Sequence, residues 1–323
     1  MTTKQTRTSS ESFVFWKPVA GIVLSINEDE QYTLPDIPLP LRPADVPQDS
    51  SATPSERILG EGIYDYLRAH PDAEFARQYA DILRHAYPFL ISDLASQLLL
   101  LDLRPNDQQA LQGKISLLRI LLYLDSDNFD LQHKLGVVHF NLVVHPQSTA
   151  DISDHLRSAR QWLEKARRSR PEDSSNLNYL GQVCYLVGNY HQAKLYWQNA
   201  LVQVSSQESQ RQLQQRLELL SQGIIPTEPL QDQLNQMVRA RGLFSSGDVE
   251  RAYHIVETLV RQGDLLRELP SAELCYFIGV CRETMNDDAG AYEALTMAAS
   301  LDDKHEQVQA ALKRVAASTQ ERI

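Results

Sequence analysis

Glycine is scarce, with 13 in 323 residues, and that scarcity weighs against a sheet-rich or loop-rich architecture. Cysteine is scarcer still. Cys184, Cys275 and Cys281 form no C-x-x-C pair and cannot all be bridged. Each sits in an apolar, helically spaced context where a free thiol acts as a small hydrophobe, which points to a reducing compartment. Long apolar runs are missing too. The greasiest stretch, Leu98 to Leu101 followed by Leu103, falls far short of the roughly 20 residues a membrane span needs. The polar start, Met1 to Glu11, and the interruption at Lys17 and Pro18 do not read as a signal peptide. A cytoplasmic protein is the expectation. Positive charge is also short: 31 Lys and Arg against 42 Asp and Glu leave a net charge of -11. An acidic chain repels phosphate backbones, so no nucleic-acid partner is expected. The densest basic group, Arg157, Arg160, Lys165, Arg167, Arg168 and Arg170, falls all round one helix and reads as a solvated face.

Signatures of catalysis are missing as well. The chain has no G-x-G-x-x-G, G-x-x-x-x-G-K-[ST], H-E-x-x-H or G-x-S-x-G. His133, His139 and His145 recur every six residues, which puts neighbours on opposing sides of a helix and rules out a shared metal. Asp125, Asp127 and Asp130 hint at a calcium loop, but its sixth position is Asp130 instead of glycine and its twelfth is Gly136 instead of glutamate. They read as a helix stop followed by a cap. No enzyme, no cofactor and no metal site is expected.

What the chain does have is helix-forming residues in helical order. Leu, Ala, Gln, Arg and Glu dominate, and they lose little rotamer freedom in a helix. Residues 1–54 stand apart, holding seven of the fifteen prolines: Pro18, Pro35, Pro38, Pro40, Pro43, Pro47 and Pro54. That density forbids helices and predicts an extended, largely irregular arm. Phe13 to Trp16 and Ile22 to Leu24 could form a short hairpin closed through Lys17 to Gly21, and the large apolar groups of the arm invite docking on the helices. From Pro54 onward, apolar residues recur at three and four, predicting helices over 55–69, 73–87, 89–103, 107–124, 129–144, 154–169, 175–187, 190–204, 207–222, 230–245, 248–262, 271–285, 288–300 and 304–318. Stops separate them, among them Arg170-Pro171, Gly188-Asn189, Gly247-Asp248 and Asn286-Asp287.

A repeat runs through the second half. Gly181, Ala193 and Ala200 are separated by twelve and seven residues, as are Gly279, Ala291 and Ala298, and again Ala240, Ala252 and Leu259. Gly136, Ala159 and Ala166 keep the seven but stretch the first gap to twenty-three, which predicts an insertion near 144–154. A large apolar residue always follows the middle position by four: Trp197, Leu295, Val256 and Leu163. A small residue on one helix lets the next approach closely, and the bulky one fills the space between them.

With Asn176 to Gly181, Gly188 to Ala193, Trp197 and Ala200 in view, the chain resembles the tetratricopeptide repeat family. The resemblance covers about 129–305, with 55–128 a degenerate extension and 207–222 an extra helix. It implies an all-α, right-handed α-α superhelix and a non-catalytic scaffold that binds a protein or peptide in a concave groove. By that resemblance the groove would be lined by His133, Lys134 and Phe140, by Asn178, Tyr179, Gln182 and Tyr185, by Met237, Arg241 and Phe244, and by Tyr276 and Phe277. The Lys, Arg and Asn set that clamps a terminal carboxylate in some members is matched in part only by Asn178 and Lys134, so that specificity is not expected. The alternative reading is a regulatory domain holding a small molecule or signalling peptide inside the superhelix. Oligomeric state is open.

Overall fold

The computed structural model describes residues 13–18, 21–25, 31–46, 53–104, 107–144 and 152–321. Among them are fifteen helices and four strands of three residues each. The chain divides into two units, Met1–Leu135 and Gly136–Ile323.

The first unit opens with β1 (Val14–Trp16), β2 (Val23–Ser25), β3 (Gln31–Thr33) and β4 (Leu39–Leu41). Helices α1 (Glu56–Ala69), α2 (Ala76–Ala86), α3 (Pro88–Asp102), α4 (Gln108–Leu124) and the first half of α5 (Phe129–Val144) follow. β1 and β2 are both strands, but they do not pair with each other. β2 pairs antiparallel with β3, Leu24 opposite Tyr32, and β1 pairs with β4, Phe15 opposite Pro40. The reason lies in burial. Leu39 and Leu41 are wholly buried, so β4 must lie against the helices, and β1 completes its free edge. Proline fits in β4 because a two-stranded ribbon has only edge strands.

The arm is fastened to α1. A β-carbon at Gly62 would run into the Pro40 carbonyl oxygen, so only glycine lets β4 approach this closely. Arg42 donates to Glu61 at 2.9 Å and to Asp65 at 2.6 Å, and the Tyr79 hydroxyl donates to the Pro38 carbonyl. Phe13 and Phe15 meet the Tyr66 ring edge-on at 5.1 and 5.3 Å. Leu39 and Leu41 of the arm thus find their core against α1, while Val14, Phe15 and Val23 stay exposed.

The second unit continues with α6 (Ile152–Ser169), α7 (Ser174–Leu186), α8 (Tyr190–Gln203), α9 (Gln207–Ser221), α10 (Leu230–Ser245), α11 (Val249–Gln262), α12 (Asp264–Glu268), α13 (Ala272–Thr284), α14 (Asp288–Leu301) and α15 (Glu306–Glu321). All fourteen helices expected from periodicity are present, with ends shifted by three residues or fewer. The five-residue α12 was not expected. It follows Gly263, which ends α11 in the left-handed region at φ 73°. It is held by Asp264, whose carboxylate accepts from the backbone N–H and hydroxyl of Thr227 at 2.8 and 2.7 Å. The connector 145–151, where the insertion and His145 were placed, lies outside the described residues.

The repeat has direct physical meaning. A β-carbon at Gly136 would come within 2.6 Å of Leu163, and one at Gly279 within 2.7 Å of Leu295. At Gly181 it would strike the Trp197 indole. Each small residue therefore faces the bulky residue that sequence spacing assigned to it. Where the small position is Ala240 the bulky one is Val256, and both are wholly buried. One continuous apolar cluster runs from Phe140 through Trp197 and Met237 to Ala294.

The turns repeat in register too. Gly188, Gly247 and Asn286, each seven after the small residue, have φ of 78°, 90° and 62°. The next N–H reaches back five residues: Asn189 to Cys184 at 2.8 Å, Asp248 to Leu243 at 2.9 Å, Asp287 to Arg282 at 2.9 Å. That is a Schellman closure, with glycine or asparagine where a β-carbon is disfavoured. The same Asn189, Asp248 and Asp287 side chains then cap the following helices by accepting from Gln192, Arg251 and Gly290.

Three outcomes are expected. Gly181→Ala gains about 1 kcal/mol of helix propensity but overpacks against Trp197 at a cost of about 1–3 kcal/mol, so its urea midpoint should fall. Gly247→Ala meets no atom within 4 Å; its loss, about 1–2 kcal/mol, should come from the backbone alone. Cys184, Cys275 and Cys281 are buried, and burial pushes their thiols up to about 11, 11 and 12. A chromogenic disulfide reagent at mildly alkaline pH should therefore label them only after denaturation; rapid labelling of the native chain would contradict their burial.

Candidate functional site

Helices α7 and α9 flank a cleft of about 300 Å³ that is open to solvent. On α7 the lining residues Ser174, Asn178 and Gln182 are spaced by four, which places them on one face. From the start and body of α9 come Ser206, Ser209 and Arg216. The helices are fixed from both ends. Asp173 caps α7 by accepting from Asn176 N at 2.8 Å, and the buried Asn176 amide donates to the Leu163 carbonyl at 2.9 Å. Ser206 caps α9 by accepting from Ser209 N at 3.4 Å.

Trp197 links the repeat to the cleft. Its ring covers Gly181, its Nε1–H donates to the Asn178 carbonyl at 3.3 Å, and the Arg216 guanidinium lies 5.3 Å over it. The residue that seals the hairpin thus also positions the backbone of Asn178 and the charge of Arg216. Among the described residues, the Asn178 and Gln182 carboxamides have no hydrogen-bond partner, and Arg216 has no carboxylate within ion-pair distance. The cleft therefore presents donors and acceptors still free to engage a ligand.

The other expected groove residues are placed differently. Phe140, Tyr185, Met237 and Phe277 are buried. Phe140 meets Tyr179 edge-on at 5.4 Å, Tyr185 packs on Trp197 at 5.5 Å, and Phe277 meets Phe244 at 5.7 Å. Burial raises the hydroxyl pKa of Tyr179 and of Tyr185. Arg241 donates to the Glu273 carbonyl at 3.3 Å and lies 5.2 Å from the Phe277 ring, and burial lowers its pKa. Tyr276 lies 5.7 Å from the His305 ring. In the first unit, His133 stacks on Phe129 at 5.7 Å, and Lys134 is engaged by Asp102 at 3.2 Å. Asn178 and Gln182 alone of the twelve line this cleft.

Arg216, Ser206 and Ser209 were not expected. Their helix carries none of the small-residue signature, and the only signal was its Ser and Gln density from Ser205 to Gln215. His139 meets His155 of α6, Nδ1 to Nδ1 at 3.0 Å, a pairing that the sixfold histidine spacing could not reveal. Among the described residues no group of three or more His, Cys, Asp or Glu is placed to hold a metal. Asn128 caps α5 at the aspartate-rich turn by accepting from Leu131 N at 3.1 Å. Among the described residues no helix is long and apolar enough to cross a membrane.

No family model matches the chain, and no curated protein sequence matches it significantly. Among solved structures it is similar to a tetratricopeptide repeat protein from Parabacteroides merdae ATCC 43184, with 16% identity over 80% of this chain and 92% of that one and a TM-score of 0.33. YrrB, described as a TPR protein with an unusual peptide-binding site, is 16% identical over 79% of this chain and 99% of its own, with a TM-score of 0.22. The APC/C hetero-tetramer Cut9-Hcn1 is 14% identical over 81% of this chain and 61% of the matched one, with a TM-score of 0.25. By their own geometry, glycine under bulky residue and left-handed turn before capped helix, the described residues of the second unit form an array of repeated helical hairpins.

Proposed function

We propose that the chain is a non-catalytic protein-interaction scaffold that holds an extended polypeptide segment in the cleft between α7 and α9. The observation that carries the reading is the set of unengaged amides of Asn178 and Gln182 facing Arg216 across a solvent-open cleft. A carboxamide offers a donor and an acceptor side by side, which matches the alternating C=O and N–H of an extended backbone. Arg216 is the one ionisable group in the lining, so the cleft holds no base to take a proton. Binding, not reaction, is what such groups do well.

The partner is a polypeptide and not a nucleic acid. Net charge of -11 supports that, as does the local pairing of α6 cations, Arg157 with Asp154 at 2.6 Å and Arg167 with Glu164 at 2.9 Å. Three buried free thiols fit a reducing, cytoplasmic setting.

Panning a random peptide display library on the full chain tests the reading. An enriched sequence, synthesised and titrated by fluorescence anisotropy, should bind Asn178→Ala/Gln182→Ala and Arg216→Ala at least about tenfold more weakly, about 1.4 kcal/mol, with unchanged melting. Absence of any enriched sequence, or equal binding by the variants, would refute it.

A further inference from the structure

Helix α3 is unusually apolar for a helix so little covered. Of its fifteen residues only Leu94 and Leu98 are buried. Phe89, Leu99, Leu100 and, one residue beyond its end, Leu103 are 66, 64, 65 and 78% exposed. Leu99, Leu100 and Leu103 cluster at the C-terminal end of the helix, and Phe89 stands near the other end, roughly 20 Å away at 1.5 Å per residue, with Ser92 and Ser96 between them. Such a cluster of exposed leucines is a candidate interaction surface.

The middle of the face is small. Ser92 and Ser96 turn their hydroxyls onto their own helix, donating to the carbonyls of Pro88 and Ser92 at 3.3 and 2.9 Å. Beside it, α3 and α4 enclose a cleft of about 350 Å³, walled by Leu100, Leu101 and Leu117 and floored by Gly113 and Ser116. Large groups at the ends and small ones at the centre suit the close approach of another helix.

The charge of the cleft is one-sided. Arg68 stands at its margin, stacked 5.4 Å over the Tyr64 ring, with no carboxylate in ion-pair distance among the described residues. Arg104, just past Leu103, has none either. Of the nearby carboxylates, Asp102 is paired with Lys114 and Lys134 at 3.0 and 3.2 Å, while Asp93 accepts from Gln97 at 2.5 Å and from the Tyr64 hydroxyl, neutral donors that leave its charge in place. Arg68, Arg104, Lys114 and Lys134 outnumber Asp93 and Asp102, so the charge excess is positive and the complementary occupant is negative.

We propose that the α3–α4 face is a second docking site, and that its occupant is an acidic amphipathic helix of a partner protein, its apolar stripe against Leu100 and Leu103 and its carboxylates toward Arg68 and Arg104. A second copy of this chain fits less well, since the face offers only Asp93, already holding two hydrogen bonds, to meet both arginines.

The test uses the full chain and two labelled synthetic amphipathic helices, one of leucine and glutamate and its counterpart with lysine for glutamate. By anisotropy the glutamate helix should bind at least about tenfold more tightly than the lysine helix. Leu100→Glu and Leu103→Glu should each abolish binding, Arg68→Glu should reverse the charge preference, and Asn178→Ala/Gln182→Ala should change nothing. Leu100, Leu103 and Arg68 are exposed, so the variants should fold as the parent does by circular dichroism. Equal binding of both helices, or retention of binding in Leu100→Glu, overturns the proposal. Sedimentation showing a dimer that Leu100→Glu dissolves would overturn it as well, because the face would then belong to a second copy.

Discussion

The second unit depends on the absence of three side chains. At Gly136, Gly181 and Gly279 a helix interior gives up about 1 kcal/mol of propensity relative to alanine, and in return Leu163, Trp197 and Leu295 can pack directly onto backbone. The exchange favours glycine because a buried large side chain is worth about 1.5–3 kcal/mol. The pair Ala240 and Val256 follows the same rule with one carbon moved across the interface: as the small residue grows, the bulky one shrinks. What recurs is a small residue under a bulky one at the close approach of two helices.

This constraint explains why so much of the helical fold was legible. Small and bulky residues at fixed separations leave an unmistakable trace in sequence, and the turns carry their own markers in Gly188, Gly247 and Asn286. The N-terminal arm was legible only as apolar and extended. Which strand pairs with which is settled by Leu39 and Leu41 finding a place on α1 beside Gly62, a tertiary fact that no local pattern records. The short helix α12 escaped notice for a similar reason, since Asp264 is held by Thr227, thirty-seven residues earlier.

Which side chains line the cleft was harder to read than the fold. On the inner helix of a hairpin the residues that face a groove and those that face the next hairpin lie within a fraction of a turn of each other. Periodicity cannot divide them, and aromatic character misleads, because large rings are drawn into the seam. Tyr185, Phe277 and Met237 went to packing, while the less conspicuous Asn178 and Gln182 face the cleft. An amide that finds no partner inside the protein is kept at a surface where water or a ligand can serve it. Trp197 ties both aspects together, sealing Gly181 with its ring and holding the Asn178 backbone with its N–H.

The turns at Gly188, Gly247 and Asn286 are closed entirely by atoms no more than five residues apart in sequence. Each turn can therefore form from its own residues alone, while the hairpin's apolar face waits for its neighbours to cover it. Contacts of such short range keep loop-closure entropy low and fast folding accessible. The array is in this sense suited to vectorial assembly: every completed hairpin offers its successor a finished apolar template, and growth of the chain and growth of the fold proceed in the same direction.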